Sequence, residues 1–126
     1  MSKVFTDVHV FMRSAGQKIG EDNYDQADLY SSLIDEEYRE YIDALRDHDD
    51  AETIDACFDM IWVIVGYMHS RGWDCEKIWD EGANSNLAKI DKITGKVIRR
   101  EDGKILKPEG WTPPNFHKFV KLKVVK

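Results

Sequence analysis

The sequence has no apolar run that could cross a membrane and no apolar leader segment at its N-terminus. The most apolar stretch, residues 60–68, is far shorter than the ~20 residues that a bilayer requires. The first residues, MSKVFTDVHVFM, lack a basic segment followed by a long apolar segment, so we expect no signal peptide. These absences predict a cytoplasmic protein that has no membrane partner.

Cysteine is also scarce, because the chain contains only Cys57 and Cys75. The two residues form no Cys-x-x-Cys pair, and we expect free, buried thiols in a reducing cytosol. The histidines show no metal-ligand spacing; they are His9, His48, His69 and His117. A zinc site built from cysteine and histidine is therefore not expected.

Positive charge is scarce in most of the chain. Residues 1–91 hold 8 Lys and Arg against 21 Asp and Glu, whereas residues 92–126 hold 10 against 3. The two segments carry −13 and +7, which together give the net charge of −6. An acidic body does not suit a nucleic-acid polymer as partner. It could bind phosphates through metal ions with help from the basic segment, or it could be only a solvated acidic face with a basic tail.

The chain shows no internal repeat, and its 126 residues suit one domain. Apolar residues at helical spacing, together with cap and stop signals, predict four helices. We place them at about 4–13, 25–46, 51–69 and 75–87, with Asp50 as a candidate N-cap of the third. Short links between antiparallel helices favour a bundle.

After residue 91 the sequence loses the helical spacing of apolar residues. Residues 97–99 and 104–106 flank an Asp-Gly step, which predicts a β-hairpin. Residues 117–126 alternate weakly and suit an edge strand or a frayed tail. The expected fold is all-α: a four-helix bundle over 1–91 with a small C-terminal β-hairpin and basic tail over 92–126, in one compact domain.

Carboxylates recur on the second and third predicted helices at the spacing of one helical turn. At ~100° per residue, each set shares one face of its helix, within about 120° of arc on the second and roughly 60° on the third. The sets are Glu36, Glu37, Glu40 and Asp43, then Glu52, Asp55 and Asp59. Each set forms a carboxylate stripe along its helix. A stripe that only faces solvent would indicate no function.

Asp59 is difficult to explain as a solvated residue. Its neighbours in sequence are apolar, and residues 47–70 contain no Lys or Arg that could pair with it. A buried carboxylate must be paired, protonated or bound to a cation. A divalent cation between the two stripes would meet this need, and an all-oxygen ligand set suits Mg²⁺, with Mn²⁺ possible.

At these residues the sequence resembles a known group. LIDEEYREYIDAL and IDACFDMIWVIVG are similar to the all-α nucleoside triphosphate pyrophosphohydrolases of the MazG-like superfamily, which includes phosphoribosyl-ATP pyrophosphohydrolases. The pattern of that group is Glu-Glu-x-x-Glu followed by Glu-x-x-Asp. Its first half matches residues 36–40, and its last Asp matches Asp59. Ala56 stands where the pattern has Glu, and Asp55 could supply the missing oxygen.

The resemblance extends over most of residues 4–115. VFTDVHVFMRSAGQ, WDEGANSNLAKID and REDGKILKPEGWTPPN are similar to other segments of phage and bacterial members. The resemblance implies Mg²⁺-dependent hydrolysis of a nucleoside triphosphate, often a deoxynucleotide, to the monophosphate and pyrophosphate. It also implies a homodimer or homotetramer.

Roles for single residues follow from the same resemblance. It implies Glu37, Glu40, Asp55 and Asp59 as metal ligands, and Glu36, Glu37 and Glu40 as the catalytic carboxylates, with Glu36 a further ligand or the general base. Three residues are candidates for substrate binding. Gln17 would contact a base edge, or it would only stabilise its loop. Asn86 would contact the ribose or base, or it would cap the helix, and Lys89 would contact a phosphate, or it would occupy a solvated surface position.

Three alternatives to this function stay open. Phosphoribosyl-ATP could be the sole substrate, although the long C-terminal segment is more similar to the phage-type nucleotide-pool enzymes. A carboxylate-bridged di-iron bundle would use Glu-x-x-His steps, and the chain contains none. A non-catalytic acidic helical protein that binds a basic partner is compatible with Ala56. Thermal stabilisation by Mg²⁺ would argue against the last alternative.

Overall fold

The computed structural model describes residues 2–120, and its regular secondary structure is helical. Four α-helices follow one another and a short 3-10 helix comes last: α1 Lys3–Ser14, α2 Tyr24–Arg46, α3 Asp50–Ser70, α4 Cys75–Leu87 and the 3-10 helix Phe116–Phe119. The all-α prediction and its four helices are therefore confirmed. Within the described range, no helix is long and apolar enough to span a bilayer. The chain divides into two compact units, Met1–Glu76 and Lys77–Lys126.

Side-chain caps fix where α2 and α3 begin. The Asn23 side chain accepts a hydrogen bond from the backbone N–H of Gln26 at 3.0 Å. The Asp49 side chain accepts one from the backbone N–H of Glu52 at 3.1 Å. The expected cap at Asp50 is wrong by one residue, because Asp49 has the extended backbone that a cap requires and Asp50 is already helical.

The core of the first unit lies where α1 and α2 pack against α3. Its buried members are Val8, Met12, Tyr30, Val63, Val65 and Cys75. The helices α2 and α3 approach each other closely at Gly66, where a Cβ atom would lie 2.2 Å from the Tyr30 ring. Only glycine leaves room for that ring, so this pair fixes how α2 lies along α3.

The buried face of α2 differs from the predicted one. The sequence places the apolar positions of this helix at Leu29, Leu33, Ile34, Tyr41 and Leu45. Of these, Leu33 and Ile34 pack against the core, but Leu29 and Leu45 are about half exposed. Tyr30 and Ala44 are buried instead. The apolar spacing of α2 fits two neighbouring faces, and contact with α3 selects the face that carries the smaller residues and one ring. Sequence periodicity alone could not make this selection.

One face of α3 is not covered by α1 or α2. Phe58 and Ile61 are 57% and 54% exposed, although both belong to the apolar sequence around Asp59. The Phe11 and Phe58 rings both contact the Trp62 ring, with centroid distances of 5.4 and 5.8 Å. An apolar surface therefore continues from α1 onto α3.

In the second unit, the C-terminal segment packs on α4. The Trp111 indole N–H donates to the carbonyl oxygen of Ser85 at 2.7 Å. The Glu81 carboxylate accepts from the backbone N–H of Asn115 and from Lys118 Nζ, both at 2.7 Å. These bonds fix residues 111–118 along the helix.

The predicted β-hairpin is not present as strands among the described residues. Arg99 and Ile105 form one isolated antiparallel bridge, and the Asp-Gly turn between them is closed by a hydrogen bond from Arg100 N–H to the Lys104 carbonyl at 2.7 Å. The pairing ends within a few residues, because Pro108 has no N–H to continue it. Of the predicted edge strand or tail at 117–126, residues 121–126 lie outside the described range.

Candidate metal centre

Three carboxylates from α2 and α3 converge in the first unit. One oxygen from each of Glu37, Glu40 and Asp59 lies within 4.8 Å of the other two. Glu37 and Glu40 share a face of α2 because residues three apart are neighbours on a helix surface. Glu37 and Asp59 are partly buried, whereas Glu40 is exposed.

The helix packing explains why Asp59 meets Glu37. In the sequence, Glu37 lies two helical turns after Tyr30, and Asp59 lies the same number of residues before Gly66. Because α2 and α3 run antiparallel, the Tyr30–Gly66 contact places Glu37 opposite Asp59. The glycine therefore sets the register of the carboxylates as well as the packing of the core.

The electrostatics of this cluster are unfavourable for three bare carboxylates. Glu37 Oε2 is buried and has no hydrogen-bond partner in residues 2–120. Burial, contact with the Glu40 side chain and the charges of Glu40, Asp59 and Glu36 together raise the pKa of Glu37 to about 7, and burial has the largest effect. Burial also raises the pKa of Asp59, with smaller contributions from Asp55 and Glu40. Each effect disfavours the ionised form.

The donor set fits a hard divalent cation. A bound cation would give Glu37 Oε2 a partner and would favour the ionised form of each carboxylate. Carboxylate oxygens are the ligands that Mg²⁺, Mn²⁺ and Ca²⁺ prefer, whereas zinc favours nitrogen and sulfur. The cluster is therefore a candidate site for a divalent metal.

Asp55 and Glu36 lie beside this cluster and not within it. Both side chains are exposed. Their charges act on Asp59 and Glu37 respectively. Ala56, where the family pattern has Glu, is buried with 2% exposure. The alanine side chain therefore supplies no oxygen that could bind a metal.

Gln17 is held inside the first unit. Its Oε1 accepts a hydrogen bond from the Tyr30 hydroxyl at 2.6 Å. This bond ties the loop after α1 to the residue that packs on Gly66. The contact gives Gln17 a structural role in the loop, and a contact to a base remains a prediction.

Asn86 and Lys89 belong to the second unit, where they contact each other. Lys89 Nζ donates to Asn86 Oδ1 at 3.2 Å. It also lies 5.1 Å from the centroid of the Trp111 ring. The bond from the Trp111 indole N–H to the Ser85 carbonyl anchors the loop that carries this ring.

The two cysteines have different environments. Both are free, but only Cys75 is buried, whereas Cys57 is exposed on α3. The expectation of two buried thiols is therefore wrong for Cys57. Burial raises the pKa of the Cys75 thiol to about 11, so this thiol is protonated at neutral pH.

Comparison with known proteins agrees with the carboxylate pattern. A family model described as phosphoribosyl-ATP pyrophosphohydrolase matches residues 7–86, more than half of the chain. The matched region contains all three carboxylates of the cluster. No curated protein matches the sequence. The chain therefore belongs to the phosphoribosyl-ATP pyrophosphohydrolase family and is an enzyme that hydrolyses a phosphoanhydride bond of a nucleotide.

Proposed function

We propose that this chain is a Mg²⁺-dependent nucleoside triphosphate pyrophosphohydrolase that converts a (d)NTP and water to the (d)NMP and pyrophosphate. The observation that carries the proposal is the convergence of Glu37, Glu40 and Asp59 in a member of a nucleotide pyrophosphohydrolase family. The buried, unpaired Glu37 oxygen supports a resident cation, for which Mn²⁺ is the alternative.

The metal would be held by Glu37, Glu40 and Asp59. At the position of Ala56 the family pattern has a Glu, and Asp55 would supply the ligand that is missing there. When bound, Mg²⁺ would offset the charge of the phosphates and lower the pKa of a bound water. In the reaction, the water oxygen bonds to phosphorus, the bridging bond between the α- and β-phosphates breaks, and pyrophosphate leaves. Glu36 is our candidate to accept the water proton at a carboxylate oxygen, or to act as a further ligand.

The first experiment measures pyrophosphate release from a panel of NTPs and dNTPs with Mg²⁺. We expect release by the wild type and its loss in Glu40→Gln, while Glu101→Gln, an exposed carboxylate of the other unit, stays active. Equal activity of wild type and Glu40→Gln would contradict the proposed site. Glu36→Gln separates the two roles of Glu36, because loss of a general base leaves Mg²⁺ binding intact and loss of a ligand weakens it.

Phosphoribosyl-ATP is the second candidate substrate, because the matching family model carries its name. The bond that breaks and the carboxylates that would act are the same for both substrates. Including phosphoribosyl-ATP in the panel decides between them. A kcat/KM for phosphoribosyl-ATP well above that for every triphosphate would replace our main proposal with this one.

We propose that the enzyme is a homodimer or homotetramer. The uncovered face of α3 supports this, since Ile54, Phe58 and Ile61 lie at i, i+4 and i+7 and are all more than half exposed. Sedimentation velocity of Phe58→Glu should then show a smaller species than wild type. Ile93→Glu, at an exposed position of the second unit, is the control. A monomeric wild type would contradict the proposal.

We also propose a cytoplasmic location, in keeping with the two free thiols. Cell fractionation tests the proposal. Recovery of the protein outside the cytoplasmic fraction would contradict it.

A further inference from the structure

The Gln17 side chain is oriented by one hydrogen bond inside the first unit. The Tyr30 hydroxyl donates to Gln17 Oε1 at 2.6 Å. Tyr30 is only 3% exposed, and its hydroxyl makes no other hydrogen bond within residues 2–120. If the amide were turned over, its NH2 group would face this hydroxyl, and the hydroxyl hydrogen would lose its acceptor. The amide oxygen is therefore fixed toward Tyr30.

The other end of the Gln17 amide is left with hydrogen-bond donors only. Its Nε2 makes no hydrogen bond to any residue of the described range, and the residue is only partly buried. The two N–H groups point away from the Tyr30 hydroxyl and are available to a ligand. An amide held in this way recognises a hydrogen-bond acceptor and cannot accept from an N–H group of the ligand.

The loop that carries Gln17 is tied to three helices of the same unit. The Gln17 backbone N–H donates to the Met12 carbonyl of α1 at 2.9 Å. The Gln26 amide of α2 accepts from the backbone N–H of Lys18 at 2.8 Å and donates to its carbonyl at 2.7 Å. The same amide donates to Ser70 Oγ of α3 at 2.8 Å. Little ordering of this loop is therefore required when a ligand binds.

The Gln17 amide and the metal centre are separated by about the length of a nucleotide. Tyr30 and Glu37 lie on one face of α2, two turns or about 10 Å apart along the helix. Helical side chains lean toward the N-terminus of their helix, so Glu37 leans toward Tyr30. From phosphates at the Glu37, Glu40 and Asp59 cluster, the sugar and base extend over a comparable length. Gln17 is thus within reach of the base.

We propose that Gln17, oriented by Tyr30, selects nucleotides whose base carries a keto oxygen where cytosine and adenine carry an amino group. This inference rests on the proposed function, to which it adds the class of base. Uracil, thymine, guanine and hypoxanthine present such an oxygen, which accepts from the Gln17 NH2 group. Cytosine and adenine present an amino group instead, so that two donors face each other.

The test compares two matched pairs of substrates, dUTP with dCTP and dITP with dATP. Within each pair the bases differ only at this exocyclic group and at the ring nitrogen beside it. In wild type, we expect kcat/KM to be about five- to ten-fold higher for the keto base, the effect of one hydrogen bond. Gln17→Glu replaces the donors by a carboxylate oxygen that only accepts, so it should reverse the preference in both pairs.

Tyr30→Phe tests whether the hydroxyl orients the amide. It keeps the ring that packs on Gly66 and removes the hydrogen bond to Gln17. The freed amide presents either end to the base, so the preference should fall toward unity through faster turnover of dCTP and dATP. An unchanged preference in Tyr30→Phe, or the wild-type preference in Gln17→Glu, overturns the proposal.

A control variant separates base recognition from the order of the loop. Gln26→Met removes the bonds to Lys18 and Ser70 and leaves the Gln17 amide and the Tyr30 hydroxyl unaltered. We expect it to change kcat/KM equally for both members of a pair, so that their ratio stays as in wild type. A ratio that falls as far as in Tyr30→Phe would show that loop order alone sets the preference, which overturns the proposal.

A binding measurement distinguishes this inference from the proposed function. Calorimetric titration of the full chain with dUMP and with dCMP in the presence of Mg²⁺ requires no turnover. Tighter binding of dUMP by wild type and of dCMP by Gln17→Glu supports the inference, even if the wild type hydrolyses no nucleotide. Equal binding of the two by wild type, or binding of neither, overturns it, even if the enzyme is active.

Discussion

Replacing Glu37 by Gln tests whether the carboxylate cluster is a metal site. Burial and neighbouring carboxylates raise the pKa of Glu37 from its ordinary value of 4.5 to about 7. Between these two values the folded protein retains a proton that the unfolded chain has released. The free energy of unfolding of the metal-free protein therefore falls as pH rises through this window. The pKa of Asp59 is also raised and acts with the same sign.

The size of the effect follows from the shift. At 1.36 kcal/mol per pKa unit, the full shift corresponds to an upper limit of ~3 kcal/mol. Solvent screens this partly buried group, so we expect about 1–2 kcal/mol. Glu37→Gln removes the charge and keeps the shape. Without metal, the variant should therefore match wild type near the low end of the window and exceed its stability above the high end.

The assay is urea denaturation between pH of about 5 and 8, with EDTA or with Mg²⁺. At a Mg²⁺ concentration of about 100 Kd, a single site adds ~2.7 kcal/mol to the wild type. Glu37→Gln should gain much less, and Glu101→Gln should behave as wild type. Parallel pH profiles for wild type and Glu37→Gln, or equal stabilisation of both by Mg²⁺, would refute the reasoning.

Three further predictions concern the frame that holds the site. Gly66→Ala puts a Cβ 2.2 Å from the Tyr30 ring, so we expect a loss of about 2 kcal/mol in scanning calorimetry and lower activity, because the carboxylates lose register. Burial lowers the pKa of His69, so wild-type stability should fall as pH drops below 6.5, and His69→Gln should flatten that slope in denaturation. Asn23→Ala should cost about 1 kcal/mol and speed amide exchange at Gln26, whose N–H donates to the Asn23 side chain.

Two of these changes have a matched control. Gly82→Ala would place a Cβ 3.4 Å from Phe116 and should cost less than the Gly66 change. His117→Gln, at an exposed position, should leave the acid slope intact. Equal losses at the two glycines would contradict the steric reason for the first prediction, and equal slopes after both histidine changes would contradict the role of His69 burial.

Local features were predicted well from sequence because their causes are local. The helices follow from apolar spacing and caps, and the Asp50 error was one residue, since consecutive aspartates offer the same side chain. The prediction of the buried face of α2 was partly wrong, because two faces of the helix have similar apolar content. The length of the hairpin strands was overestimated, because a turn signal does not show how far the pairing of the strands continues before Pro108.

The sequence by itself determined the helical class of the chain and the carboxylate stripes on α2 and α3, since both depend on the helical period alone. It also contained the family pattern, except for the Glu that is replaced by Ala56. The grouping of Glu37, Glu40 and Asp59 was decided only by the tertiary structure. That grouping depends on the register of two antiparallel helices, which the Tyr30 ring sets by packing on Gly66. No periodicity within one helix carries that information, because register is a property of the contact between two helices.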